Sequence, residues 1–177
     1  IPEIYQYSIF RGFNDVIRQN KQFNLEPVID FGYKILDQQE FWIRYYNKIN
    51  YKELIVYEIA SIIEGIASNK IYYLNSDMIE KSKKILFLIL TRATIPVFKS
   101  DDIIISVLNS TKGRIYSAMI LLSLEKAKSK KEIDIKWDED IKQFFSKQLT
   151  APSEELLVVL GQFIPNLAYL DIYWLTV

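Results

Sequence analysis

The sequence predicts an all-α protein built from about eight helices. Apolar residues recur with a period of 3.6 along nearly the whole chain of 177 residues. Only five glycines and five prolines occur, which is too few for a turn-rich β architecture. The apolar segments are joined by short connections, and none shows a regular alternation typical of strands. Together these observations predict helices that pack against one another.

The first hundred residues contain five segments with helical periodicity. Asn24 is placed to cap the second of them, with Pro27 in its first turn. The run from Ile85 to Leu90 is apolar throughout and alone would fit a strand. The helical period on its N-terminal side favours a helix. The expected bounds are 3–19, 24–36, 41–46, 51–68 and 76–90.

The second part of the chain shows helix starts and stops of the usual kinds. Ser100, Asp101 and Asp102 would begin a short helix, and Asn109 or Ser110 would cap a longer one. Residues 126–136 are charged and indicate an exposed loop. The remaining signals are a helix opening at Trp137, a start at Ser153, a stop or kink at Pro165, and a last segment through Leu170, Asp171 and Trp174. The expected bounds are 101–108, 111–127, 137–149 and 153–164.

Two architectures fit this series of helices. One is a stack of helical hairpins, an α-solenoid like those of HEAT repeats, and the other is a compact bundle. Helix pairs every ~40 residues would suit such repeats, but the segments show no evident self-similarity. The length favours a single helical domain over 1–177. Because the chain lacks an initiator Met, we expect it to be a fragment of a larger protein.

The composition argues against several classes of function. The chain has no Cys and no His, so the usual general base, nucleophile dyads and transition-metal ligands are missing. We therefore expect neither catalysis nor a cofactor. With 22 basic and 22 acidic residues, nucleic-acid binding is disfavoured. No signal peptide is evident, and the longest apolar run is too short to cross a membrane, so a cytoplasmic protein is expected.

Three groups of side chains have both a functional and a structural interpretation. The acidic groups at 101–102 and 138–140 would serve acid–base or metal chemistry, but as helix starts they are better explained as caps. Lys126, Lys128, Lys130 and Lys131 are better explained as a solvated loop than as a phosphate-binding track. Aromatics at helical spacing are more often core than groove. This last set comprises Phe41, Trp42, Tyr45 and Tyr46.

Two segments resemble a known family. The run from Asn109 to Ala118, with Ser110, Gly113 and Arg114, resembles an Asn-Ser-x-Arg/Lys-Gly-x-Ala helix start, although Ile115 stands where Ala is expected. The run from Val159 to Trp174 is similar to a Gly-x-x-x-Pro-x-Leu-x-x-Leu-Asp-x-x-Trp ending. Both occur in helical C-terminal regions of large bacterial antiphage-defence proteins with sirtuin-like NAD-hydrolysing or STAND-type ATPase domains.

The resemblance implies that the chemistry lies elsewhere in such a protein. This region would then be a scaffold, oligomerisation or trigger-sensing module. Its partners would be other domains of the parent protein or other proteins, including a second copy or a phage protein. In that case Gly113 and Gly161 would each let a neighbouring helix approach closely. Asp171 and Trp174 would fix the last turn against the preceding helix.

The sequence thus leaves two main hypotheses. The first is a non-catalytic interaction module, and the alternative is a free-standing bundle that binds an apolar small ligand between its helices. An enzyme using only carboxylates and lysines is a weaker third. Trp174 stands four residues after Leu170, so we expect the two side chains to share one face of a helix. It should then be largely buried, with its indole N–H bonded to a carbonyl or to Asp171.

Overall fold

The computed structural model describes residues 1–43, 51–95, 102–128 and 136–176. Within these ranges the chain is helical and contains no strand, which confirms the all-α prediction. The helices are α1 Glu3–Arg18, α2 Glu26–Asp37, α3 Gln39–Trp42, α4 Tyr51–Ser68, α5 Ser76–Arg92, α6 Ile103–Leu108, α7 Thr111–Lys128, α8 Glu139–Gln148, α9 Glu154–Gln162 and α10 Ile164–Leu170. A 3₁₀ turn, Tyr173–Thr176, follows α10.

Several helix starts follow the capping signals of the sequence, but the predicted cap of α2 at Asn24 is wrong, because Leu25 is the N-cap and its side chain forms no capping hydrogen bond. The Asn75 side chain accepts from the N–H of Met78 at 2.8 Å, and Ser153 caps α9 in the same way. The expected start at Trp137 is wrong, because Asp138 caps α8 and places Trp137 before it. The predictions for Tyr45, Tyr46, Ser100, Asp101, Lys130 and Lys131 fall outside the described residues.

The chain forms two compact units, Ile1–Pro96 and Val97–Val177. A single domain over 1–177 therefore stays a prediction.

In the first unit α1 and α4 lie side by side and run parallel. Near their N-termini, Glu3 forms an ion pair with Lys52 across 3.5 Å. Near their C-termini, a Cβ added to Gly65 would lie 2.9 Å from the Ile17 side chain. The two helices therefore run in the same direction, with their N-terminal ends together and their C-terminal ends together.

The second helices of the two hairpins are parallel as well. Glu26 and Met78, in the first turns of α2 and α5, line one cleft, and further along Asp30 forms an ion pair with Lys81. Within the first hairpin α1 and α2 are antiparallel, since Phe10 stacks on Phe31 and Phe13 on Phe23. The first unit is thus two helical hairpins stacked in parallel.

This stacking reflects an internal repeat that the sequence analysis missed. The buried residues of α2 have buried counterparts in α5 exactly 50 positions later. The first set is Val28, Ile29, Gly32, Ile35 and Leu36, and the second is Met78, Ile79, Ser82, Ile85 and Leu86. The helix ends Arg18 and Ser68 keep the same spacing. The repeat was missed because its identities are weak and its period exceeds ~40 residues.

The second unit is arranged around α7. This helix contacts α6, α8, α9 and α10, and it supplies fully buried side chains such as Ile115 and Met119. It is antiparallel to α8, because Tyr116 near its start meets Phe145 near the end of α8, with ring centroids 6.0 Å apart. At the other end Lys126 forms an ion pair with Asp138 across 2.5 Å.

Candidate functional site

Four of the residues that carry the family resemblance meet at the turn between α6 and α7. Asn109 is the C-cap of α6, and the Arg114 guanidinium donates to its side-chain oxygen across 3.3 Å. The Ser110 hydroxyl accepts from the N–H of Gly113 at 2.9 Å and donates to the carbonyl of Val107 at 2.8 Å. Of the two predicted caps, it is therefore Ser110 that caps α7.

The two glycines of the resemblance have different surroundings. A Cβ at Gly113 would lie 1.9 Å from the carbonyl oxygen of Val107, so the end of α6 occupies the space of a side chain. A Cβ at Gly161 would meet nothing within 4 Å. The close helix approach expected at Gly161 is therefore wrong, because this residue lies on the exposed side of α9.

Pro165 lies in the first turn of α10, directly after α9 ends at Gln162. Its missing N–H costs nothing there, because the first turn of a helix has no internal partner for that group. The predicted helix break at Pro165 is confirmed.

Asp171 and Trp174 are held by contacts other than those predicted. The Asp171 carboxylate accepts the N–H groups of Tyr173 and Trp174, at 3.0 and 3.1 Å, and the ammonium of Lys142 at 2.8 Å. The Trp174 indole N–H donates to the Ser146 hydroxyl at 2.8 Å. Both residues therefore fasten the chain end to α8, not to the preceding helix.

Trp174 is partly buried, and its indole N–H does not bond to a carbonyl or to Asp171, so that part of the prediction is wrong. The continuous helical face with Leu170 does not form, because α10 ends at Leu170 and Asp171 is extended. Trp174 instead packs edge-on against Trp137, with ring centroids 4.7 Å apart. The hydrogen bond from Lys142, followed by those from the Trp174 and Tyr173 N–H groups, lowers the pKa of Asp171 below its ordinary value of 3.8.

The acidic groups proposed as caps do act as caps where they are described. Asp102 accepts from the N–H groups of Ile104 and Ile105, and Asp138 accepts from Ile141. Within the described ranges no group of three or more acidic, His or Cys side chains is placed to hold a metal ion. Their geometry is explained by helix capping.

The aromatic side chains at 41 and 42 belong to the packing of the first unit. Phe41 is buried, and the Trp42 indole donates to the carbonyl of Leu36 at 2.7 Å. The described cleft of this unit lies elsewhere, between the turns that follow α1 and α4, and has a volume of about 450 Å³. Its lining is mixed, with Phe23 and Tyr72 beside Asn24 and Glu26.

A buried charge between α1 and α4 was not anticipated. Glu58 is only 1% exposed, and its carboxylate accepts from Arg11 at 3.1 Å and from Asn14 at 2.6 Å. The hydrogen bond and charge of Glu58 raise the pKa of Arg11. A buried carboxylate needs both partners, so this contact fixes how α4 sits on α1. The signal was present in the sequence, since Glu58 interrupts the apolar arc of α4.

The candidate interaction surface is the side of α1 that faces away from α4. We call it the outer face of α1 and define it as Tyr5, Ser8, Ile9, Gly12 and Val16. Tyr5 is 61% exposed and Ile9 is 37% exposed. In the repeat these positions correspond to Ile55, Glu58, Ile59, Ile62 and Ile66 of α4, all of which are buried.

The buried counterparts in α4 face the first hairpin. Glu58 meets α1, while Ile59 lies 3.8 Å from a Cβ placed on Gly32 of α2. Ile55 and Ile62 project between these two directions on the helix. The five α4 positions are therefore covered by a stacked hairpin, whereas in α1 Tyr5, Ser8, Ile9 and Gly12 are exposed and Val16 is partly buried.

The chain matches no protein-family model, no curated protein and no solved structure. The resemblance to helical regions of antiphage-defence proteins accordingly stays a prediction. None of the helices in the described part of the chain is long and apolar enough to cross a membrane.

Proposed function

We propose that this chain is a non-catalytic helical scaffold that binds other protein segments through helix faces. The observation that carries the proposal is the outer face of α1. It presents apolar side chains at repeat positions whose counterparts in α4 are buried against another hairpin. Stacked hairpins use such faces as interfaces, because each repeat completes its core only against its neighbours.

The composition and the resemblance support the same function. A chain without His or Cys lacks the side chains most used in proton transfer and nucleophilic catalysis. The resemblance implies a scaffold or trigger-sensing region of a cytoplasmic bacterial defence protein. The partners would be other domains of that protein, a second copy, or a phage protein.

The alternative function, binding of an apolar small ligand, has one observation in its favour. The cleft of about 450 Å³ in the first unit is within the size range of small-molecule sites. Its mixed lining and its position between two turns fit a buried apolar ligand less well than the α1 face fits a helix. Stoichiometric binding of an apolar dye that Tyr72→Ala abolishes would favour this alternative.

A photo-crosslinking experiment tests the scaffold. A benzophenone amino acid replaces Tyr5 in the protein produced at native level in its own host. We expect one defined crosslinked peptide, from another protein or from another segment of the same polypeptide, identified by mass spectrometry. The matched control carries the same amino acid at Tyr173, which is 80% exposed in the second unit.

Crosslinking from positions 5 and 173 distinguishes an interface from ordinary exposed surface. A defined crosslink from position 5 that is absent from position 173 supports an interface on α1. Equal, diffuse labelling from both positions would show that the outer face of α1 is ordinary solvent-exposed surface. Turnover of NAD or ATP by the purified chain would also overturn the non-catalytic function.

A further inference from the structure

The outer face of α1 specifies what kind of partner covers it, an inference that rests on the proposed scaffold function. In the second repeat, the corresponding face of α4 is covered by a parallel helix, α1, and by its hairpin partner α2. The same 50-residue relation places the outer face of α1 where a further parallel helix would pack.

The chemistry of the face calls for an uncharged, apolar partner surface. Where α4 carries the charged Glu58, α1 carries Ser8, whose hydroxyl donates to the carbonyl of Ile4 in its own helix at 2.8 Å. The five residues of the face therefore carry no charge, and Asp15 beside them, the counterpart of Gly65, is already paired with Arg11 across 3.9 Å. At its centre, a Cβ on Gly12 would meet nothing within 4 Å, which leaves room for a side chain of the partner.

The open face continues from α1 onto α2, so one helix would not cover it. Position 31 is the counterpart of Lys81, the residue through which α5 contacts Asp30 of α2. It holds Phe31, which is apolar and half-buried, and the neighbouring Pro27 is exposed. The partner must therefore supply two helices, one against α1 and one against α2.

We propose that the outer face of α1 is covered by a further helical hairpin of the same polypeptide, N-terminal to Ile1. Its first helix runs parallel to α1, and its contacting surface is apolar and uncharged. The order follows from the repeat, because the first hairpin is followed along the chain by the hairpin that stacks on it. A hairpin that covers α1 and α2 therefore precedes them.

The test compares the chain of 177 residues with the protein encoded by its complete reading frame, which on this proposal is longer. Tyr5→Glu and Gly12→Glu place a charge on the outer face of α1, and Tyr173→Glu is the matched control on exposed surface. In the 177-residue chain none of the three should lower the Tm by more than about 2 °C. In the longer protein the two α1 variants should lower the Tm by about 5 °C or more, because the charge is then buried.

Three results would overturn the proposal. The reading frame would encode no helical hairpin before Ile1, or the two α1 variants would leave the longer protein as stable as the Tyr173→Glu control. Alternatively, the crosslink from position 5 would reach a second copy or a different protein. These three results leave the scaffold function standing, whereas a fourth, diffuse crosslinking, removes both.

Discussion

Two glycines of the second unit show how much the surroundings decide the role of one residue type. Gly113, in the first turn of α7, faces the carbonyl of Val107, while Gly161, on α9, faces open space. A glycine inside a helix lowers stability relative to alanine by about 0.5–1 kcal/mol. At Gly161 nothing offsets that cost, whereas at Gly113 a larger side chain would collide with backbone.

Gly113→Ala should therefore destabilise the protein despite the better helix propensity of alanine. A Cβ placed 1.9 Å from a carbonyl oxygen forces the α6–α7 turn apart, and such overpacking costs about 1–3 kcal/mol. Gly161→Ala is the matched control and should stabilise by about 0.5–1 kcal/mol. Urea unfolding of both variants measures the two changes. If they agree in sign, the close contact at Val107 does not govern the turn.

At the scale of the helix, the C-terminal segment is held on α8 by a small polar network. Lys142 and Ser146 lie one turn apart on α8 and bond to Asp171 and Trp174 respectively. The folded state lowers the pKa of Asp171, chiefly through the hydrogen bond from Lys142. The stabilisation is therefore complete above the ordinary aspartate pKa of 3.8 and is lost as the pH falls below it.

Asp171→Asn should cost about 1 kcal/mol at neutral pH, since the ion pair is partly exposed. The difference from the parent chain should shrink as the pH falls through the acidic range and vanish once Asp171 is protonated. Chemical unfolding followed by Trp fluorescence at a series of pH values gives this difference. Lys142→Gln removes the same ion pair and should reproduce the pattern. A pH-independent difference would mean that the carboxylate contributes only shape and backbone capping.

Helix positions followed from the sequence because their causes are local. Periodic apolar residues and the caps Asn75, Ser110 and Ser153 act within one turn of the chain, so they define most boundaries. The conformation around Trp174 did not follow from the sequence. The Asp171 carboxylate accepts the N–H groups of Tyr173 and Trp174, so the helix ends before them. The partner of Glu58 also did not follow from the sequence, since Arg11 lies 47 residues away.

At the scale of the molecule, the repeat preserves burial more than residue identity. Gly32 and Ser82 occupy equivalent positions, as do Val28 and Met78, so aligned letters reveal little. Packing requires only that each pair be small or apolar at the same place. The outer face of α1 could not be predicted for the same reason. Its residues stand out only when they are compared with their buried counterparts in α4.

One pair of equivalent residues allows the burial of α4 to be compared directly with the exposure of α1, because both residues are isoleucine. Ile59 in α4 is 3% exposed and lies against the first hairpin, while Ile9 in α1 is 37% exposed on the outer face. Ile59→Ala should cost about 2–5 kcal/mol, as for truncation of a buried side chain. Ile9→Ala should cost less than about 1 kcal/mol.

Urea unfolding of the two alanine variants of the 177-residue chain tests the prediction, with Ile59→Val and Ile9→Val as milder controls. Both valine variants keep the β-branched shape, so they separate lost burial from changed helix propensity. Equal losses at positions 9 and 59 would mean that α1 is already covered in this chain. A larger loss at position 59 would show that the outer face of α1 is open in this chain, whereas the equivalent face of α4 is covered by the first hairpin.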